Sequence, residues 1–321
     1  MDLRHLKAFI FILITVIGIP TNLYIVLKFV LVRHIEKKLL PTNVILIVLA
    51  LANLLIIFSR VVPQSLHAIG LEDLMDDSNC KFFGYTYRVS RAMSICTTSL
   101  LSCHQCILIA PTTKFWVYLK QKVSQNIFVI ILSILLMNLI LYRTSFMYAN
   151  ARRNFTSPYT LHLVYCDTDF QTYVSYIANG IVFASIDFLF VALMALASFY
   201  IVFVLLRHVR TVKGIRSSDN IQTDSIEHKA SRAVILLVLC YVIFLGLDNA
   251  MWIYTLTLSN VKTDTNDARV VLACAYSALS PVIIILTNPK LQQQLVFRFW
   301  PKIQIQQAFS TSLVYVNNVS K

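Results

Sequence analysis

The sequence is poor in charge and in glycine. Only 13% of its 321 residues are Asp, Glu, Lys or Arg and six are Gly, whereas 57% are hydrophobic. An average soluble domain has about 25% charged and about 45–50% apolar residues. So much apolar surface cannot be buried within one water-facing domain, and the mean hydropathy is +0.69. The composition therefore excludes most soluble enzymes and nucleic-acid binders and favours a membrane protein.

Long apolar runs occur seven times along the chain. A helix needs about 20 residues to cross roughly 30 Å of hydrocarbon, and the period-2 alternation typical of a membrane barrel is missing. The sequence therefore predicts an all-α bundle of seven transmembrane helices that forms a single domain over residues 1–321. The predicted spans are 8–32, 43–64, 81–110, 126–148, 171–206, 231–259 and 268–288, with a short tail at 289–321.

Lys and Arg are distributed unevenly between the two ends of these spans. If the N-terminus is outside, about twice as many basic residues lie in the inner segments as in the outer ones. Basic residues are retained on the cytoplasmic side of membrane proteins. We therefore predict an extracellular N-terminus and a cytoplasmic tail. The net charge of +13 then needs no nucleic-acid partner.

Two of the seven cysteines differ from the rest. Cys80 lies at the outer start of the third span and Cys166 in the outer loop before the fifth, whereas the other five lie inside predicted helices. The outer side is oxidising, so Cys80 and Cys166 are predicted to form a disulfide. The same loop contains a glycosylation sequon at Asn154, and a second sequon at Asn318 falls in the predicted cytoplasmic tail. We expect a glycan on Asn154 only.

Ionisable side chains inside the spans are the candidate functional residues, because charge in hydrocarbon is costly and needs a partner or a water-filled cavity. Arg88 and Arg91 lie about 12–17 Å along the third span from Cys80, at 1.5 Å per residue. That depth suits a ligand pocket. Arg60 lies near an outer helix end, where its side chain is expected to extend to the membrane surface.

The predicted ligand-binding residues combine these charges with polar and aromatic neighbours. They are Tyr87, Arg88, Arg91, Ser94, Asp187, Asp248, Asn249, Trp252 and Tyr276. Two interpretations of Arg91 remain open: it forms a buried structural bridge with Asp187, or it contacts the ligand. Because the third span carries two guanidiniums and no carboxylate at this depth, we expect an acidic or neutral polar ligand with Arg91 as its anchor.

The third span also carries a specific motif. Residues 87–102 read YRVSRAMSICTTSLLS, followed by Gln105, Pro111, Trp116 and Leu119-Lys120. This order resembles the signature of vomeronasal type 1 pheromone receptors. Further similar stretches are 187–194, 205–208 and 233–238, and the resemblance extends from residue 18 to about 290. Asp248 and Asn249 depart from the pattern, which suggests a divergent member such as the related olfactory receptors of fish.

The resemblance implies a G-protein-coupled receptor in the plasma membrane of chemosensory neurons. Such a receptor binds a small odorant or pheromone, contacts membrane lipids, and activates a heterotrimeric G protein of the Gi or Go type. It is not an enzyme and needs no cofactor or metal. The predicted residues facing the G protein are His104, Gln105, Arg207, Arg210, Lys213 and Arg216.

Two features that stabilise the resting state in rhodopsin-like receptors are replaced in this chain. His104-Gln105-Cys106 stands where those receptors have Asp-Arg-Tyr, and Asn53 stands where they have a sodium-binding Asp. Other contacts must therefore hold the resting state. A bitter-taste-like receptor is the closest alternative. A transporter or channel is a more distant one, since six glycines and no internal repeat argue against broken helices in matched halves.

Overall fold

The computed structural model describes a helical bundle. It covers residues 3–37, 39–70, 76–111, 113–151, 160–162, 166–169, 172–212, 234–244, 246–248, 250–251, 254, 263–288 and 291. Its helices are α1 (Leu3–Glu36), α2 (Pro41–Ile56), α3 (Val62–Ala68), α4 (Asp77–Ile109), α5 (Lys114–Gln125), α6 (Ile127–Leu141), α7 (Arg143–Tyr148), α8 (Tyr173–Val212), α9 (Val234–Asp248) and α10 (Thr263–Thr287).

Within the described ranges, six helical segments are long and apolar enough to cross a membrane. They are His5–Ile35, Pro41–His67, Asp77–Ile109, Ile127–Tyr148, Tyr173–Val204 and Asp267–Thr287. They correspond to six of the predicted spans, and the shorter apolar helix α9 lies in the remaining one, 231–259. The predicted all-α seven-transmembrane class is confirmed. Helix α5 was not predicted, because its twelve residues lie in a segment that the hydropathy pattern assigns to a loop.

The apolar core is largest in the inner half of the bundle. Side chains from α1, α2, α4, α8, α9 and α10 meet there, among them Phe29, Leu49, Leu101, Met194 and Leu237. Large apolar side chains on the opposite faces of α1, α6 and α8 remain exposed. Lipid is as apolar as these side chains, so the exposed faces are those expected of helices that contact a bilayer.

A polar centre joins three helices in the middle of the bundle. The Asn53 side chain donates to Ser280 Oγ at 2.9 Å and accepts from Ser94 Oγ at 3.0 Å. Asn53 and Ser280 have no exposed surface, so these hydrogen bonds satisfy groups that water cannot reach. The neutral Asn53 therefore connects α2, α4 and α10 at the position where rhodopsin-like receptors have a carboxylate.

A π-helical turn, Ile57–Val61, separates α2 from α3 within the second span. Such turns insert one extra residue and are frequent at functional sites. Here the turn contains Arg60, which is 9% exposed and lies against the bundle interior. On the α1 side, Gly18 faces Ile57 so closely that a side chain at that position would overlap it.

A small antiparallel sheet covers the outer end of α4. Its strands are β1 (Ala149–Ala151), β2 (Thr160–His162) and β3 (Cys166–Asp169), in the order β1-β3-β2. The predicted disulfide is confirmed: Cys80 of α4 is bonded to Cys166 of β3, with their Cα atoms 5.8 Å apart. Asp77 also accepts a 2.7 Å hydrogen bond from the backbone N–H of Ala151. The sheet is thereby fixed to α4 by two strands.

Candidate ligand site

A pocket opens beneath the sheet, among the outer halves of the helices. Together with its open mouth it contains about 780 Å³ of space not occupied by protein. Its lining combines apolar side chains with several convergent polar groups, as small-molecule sites do. The lining comes from α4, α7, α8, α9, α10, the π-turn, β1 and β3. Its polar residues are Arg60, Tyr87, Arg88, Arg91, Thr144, Ser145, Thr168, Asn179, Asp248 and Arg269.

Arg91 forms the centre of an ionic cluster at the floor of this pocket. Its Nη2 lies 3.0 Å from Asp248 Oδ2 and 3.6 Å from Asp187 Oδ2. The other oxygen of Asp248, Oδ1, lies 3.6 Å from Arg269 Nε. The alternative in which Arg91 bridges to Asp187 holds in part, since Arg91 pairs with both carboxylates and lies closer to Asp248. The cluster joins α4, α8, α9 and α10.

The other two pocket arginines lie over aromatic rings. The guanidinium carbon of Arg88 is 5.6 Å from the ring centroid of Phe183, and that of Arg60 is 5.3 Å from the ring centroid of Tyr87. Aromatic faces attract cations without neutralising them. The expectation that Arg60 extends to the membrane surface is wrong, because the π-turn directs it into the pocket.

Cations outnumber anions among the described residues of the pocket. Four guanidiniums line it, those of Arg60, Arg88, Arg91 and Arg269. Two carboxylates lie within ion-pair distance of Arg91, those of Asp187 and Asp248, and Asp248 is also within that distance of Arg269. Sequence reasoning missed Arg60 and Arg269 as pocket residues. The spacing of charged residues on separate helices does not reveal which of them meet. Both missed arginines do lie near outer ends of predicted spans, and that position was a usable signal.

A second, smaller chamber lies below the first, toward the polar centre. It is lined by Ser94, Tyr241, Phe244, Tyr276 and Ser277 among others, and it shares Arg91, Asp248 and Ala273 with the outer pocket. The Arg91–Asp248 pair therefore separates the two spaces.

Two predicted ligand residues, Ser94 and Tyr276, line this chamber and not the outer pocket. Ser94 donates to Asn53, and the hydroxyl of Tyr276 lies 2.9 Å from that of Thr98. The other predicted ligand residues on described parts of the chain are Tyr87, Arg88, Arg91 and Asp248, which line the outer pocket, and Asp187, which touches Arg91.

The residues predicted to face the G protein differ in their exposure. His104 and Gln105 are buried, and His104 Nδ1 lies 3.4 Å from Thr42 Oγ1, so neither faces a partner in this arrangement. Arg207 is exposed on α8, and Arg210 belongs to the same helix. Four further predicted residues and the two sequons lie outside the described residues, namely Lys213, Arg216, Asn249, Trp252, Asn154 and Asn318.

Comparisons with known proteins agree with this architecture. The model of the vomeronasal organ pheromone receptor family matches residues 5–297. Olfactory receptor class A-like protein 1 of Danio rerio is 36% identical over 293 residues, which is 91% of this chain and 92% of the relative. Human vomeronasal type-1 receptor 3 is 30% identical over 230 residues, 70% of this chain and 74% of the relative. These matches favour the vomeronasal interpretation over a bitter-taste-like receptor.

Proposed function

The chain belongs to the vomeronasal organ pheromone receptor family, and we propose that it is a chemosensory receptor with a small organic ligand in its outer pocket. Ligand binding shifts the bundle between two arrangements. The inner end then engages a heterotrimeric G protein, of the Gi or Go type that the family implies. The observation that supports this role is the charged pocket inside a lipid-spanning bundle, since intramembrane charge is retained mainly for function.

The ligand carries a negative charge. Three pocket guanidiniums, those of Arg88, Arg91 and Arg269, face two carboxylates among the described residues, so an anion brings the charges closer to balance. Guanidinium presents a planar set of donors that matches a carboxylate or sulfate. A cationic amine would instead add to an excess of positive charge in a place that is largely shielded from water.

Arg88 is the primary anchor for that anion, in place of Arg91. Arg91 already holds two carboxylates, whereas Arg88 has no ion pair within the described part of the chain and lies over Phe183. A guanidinium over an aromatic ring keeps its charge and its outward donors. Arg88 can therefore bind an incoming acid without giving up an existing carboxylate.

The inner end of the bundle supplies the coupling surface. Arg207 is exposed near the inner end of α8, and the following segment, 207–232, is rich in basic residues. A basic inner surface is complementary to acidic groups on a partner and to the anionic lipids of the cytoplasmic leaflet. We place the receptor in the plasma membrane of chemosensory neurons on the strength of its family.

A ligand screen with matched pairs tests this proposal. Cells that express the chain with a promiscuous G protein are exposed to small carboxylic acids, to the methyl esters of the same acids, and to amines of the same skeleton, with calcium as the signal. We expect responses to acids and not to their esters or amines. Potent amine agonists with silent acids would overturn the assignment of ligand class, and silence toward every compound at normal surface expression would count against the receptor role.

A further inference from the structure

We propose, on the basis of the proposed function, that Asp248 is a resident anion of the pocket. The anionic group of an acidic ligand is first bound by Arg88 and then displaces Asp248 from Arg91 and Arg269. This exchange releases α9 from α4 and α10. The same carboxylate thus tunes ligand selectivity and holds the resting arrangement. Asp248 supplies a contact of the kind that the missing Asp-Arg-Tyr triplet would otherwise provide.

The geometry of Asp248 resembles that of a bound carboxylate ligand. One oxygen lies 3.0 Å from Arg91 Nη2 and the other 3.6 Å from Arg269 Nε, and all three residues line the pocket. A ligand carboxylate or sulfate has the same pair of oxygens for the same two guanidiniums. The contact with Arg269 is long for a hydrogen bond, so this half of the bridge is the weaker one.

Asp187 makes such an exchange feasible. It lies 3.6 Å from the same Nη2 of Arg91, on α8. When Asp248 leaves, Arg91 keeps a carboxylate partner and is not left as an unpaired buried charge, which would be strongly unfavourable. The cluster can therefore switch between two arrangements in which Arg91 is paired.

Below the cluster, α9 makes a second contact with its neighbours. Seven residues before Asp248, about two helical turns, Tyr241 packs edge to face on Tyr276 of α10 at 4.6 Å between ring centroids, and Tyr276 bonds to Thr98 of α4. The inner chamber lies between this contact and the ion pairs. The buried hydroxyl of Ser277, which lines the chamber, has no hydrogen-bond partner among the described residues. The chamber thus lies directly beside α9, at the level where α9 shifts once Asp248 is released.

Basal signalling separates this role from simple electrostatics. Asp248→Asn removes the resident anion, and Arg269→Gln breaks the same bridge from α10 while leaving Asp248 on Arg91. The matched control is Asp267→Asn, which removes one buried negative charge two residues from Arg269. Asp267 pairs with Lys7 and Gln64, at 2.7 Å each, and does not line the pocket.

At equal surface expression, we expect Asp248→Asn to raise basal signalling about fivefold or more, within the usual range of coupling between sites, and to increase the potency of acid agonists. Arg269→Gln should also raise basal signalling. The double variant should signal no more strongly than Asp248→Asn alone, since Arg269→Gln removes a contact that Asp248→Asn has already removed. Basal signalling should not change in Asp267→Asn. The exchange would be overturned if Asp248→Asn kept the basal signalling and the acid potency of the wild type. It would also be overturned if Asp267→Asn raised basal signalling as much as Asp248→Asn does.

A readout without a G protein distinguishes failure of the exchange from failure of the proposed function. Spin labels on unnatural side chains at Leu236 of α9 and Val117 of α5, both exposed near the inner end, report the distance across that end in the full-length receptor in lipid nanodiscs. We expect a longer-distance population in Asp248→Asn and not in Asp267→Asn. If that population appears but no variant signals, coupling fails and the exchange stands. If the distances are unchanged, the exchange is wrong even where acids activate the wild type.

Discussion

Replacing Arg88 is the most direct test of whether the pocket binds an anion. The Arg88 guanidinium has no carboxylate partner within the described residues and lies 5.6 Å from the Phe183 centroid. Replacing Arg88 with Gln removes the charge and keeps a polar side chain. A hydrogen bond to a charged group contributes about 1.5–3 kcal/mol, and about 1.4 kcal/mol is a factor of ten in affinity. We therefore expect the potency of an acid agonist to fall about 10- to 100-fold in Arg88→Gln, at normal surface expression.

The matched control is Arg143→Gln, since Arg143 lies at the outer end of the bundle but is exposed and does not line the pocket. Its potency curve should overlay that of the wild type. Arg91→Gln should behave differently from both: it leaves Asp187 and Asp248 buried without their shared cation, which costs about 3–5 kcal/mol for a buried pair. Its main effect should be loss of surface expression.

The measurement is a calcium concentration–response curve for one acid and its methyl ester on each variant, with surface receptor counted by antibody. An acid whose potency is unchanged in Arg88→Gln would refute the anchor. If the ester also activates the receptor, an equal loss of its potency in Arg88→Gln would refute the anchor too, because the effect would then come from altered packing and not from charge.

Three further predictions concern stability and topology. Replacing Cys80 or Cys166 with Ser removes a link that spans 86 residues, and loop entropy assigns such a link about 4.6 kcal/mol. Surface expression should therefore collapse, and normal signalling would contradict this. Asn154→Gln should remove a glycosidase-sensitive mobility shift and Asn318→Gln should not, whereas the reverse would invert the topology. Asn53→Ala breaks two buried hydrogen bonds to serines and should lower the stability by about 1–3 kcal/mol, so an unchanged melting temperature in detergent would argue against the polar centre.

The spans and the disulfide could be predicted because they depend on properties that are local in sequence. A helix that crosses lipid must satisfy its own backbone and present apolar side chains throughout, so its position follows from composition. The pairing of Cys80 with Cys166 followed once the other cysteines were assigned to helices. The depth of Arg88 and Arg91 followed from the fixed rise of an α-helix.

The partner of Arg91 could not be predicted in the same way. Asp187 and Asp248 lie on different helices, and which carboxylate is nearer depends on how α8 and α9 rotate and pack. The direction of the Arg60 side chain was predicted wrongly for a related reason. One extra residue in a π-turn rotates all later side chains of that helix, and the local sequence did not indicate the turn. The covering sheet was missed because its strands are only three or four residues long.

The presence of Arg88 at pocket depth is hard to explain by stability alone. Charge within a membrane protein is costly, and well-packed apolar residues often stabilise a buried site better than ionic groups do. Among the described residues, the charge of Arg88 is stabilised by the face of the Phe183 ring. Such an interaction contributes about 0.5–2 kcal/mol, which is less than the cost of desolvating a guanidinium. The bundle therefore keeps a cation that these contacts stabilise only in part. An anionic ligand that enters from the outer mouth supplies a stronger partner, because its charge compensates the guanidinium directly.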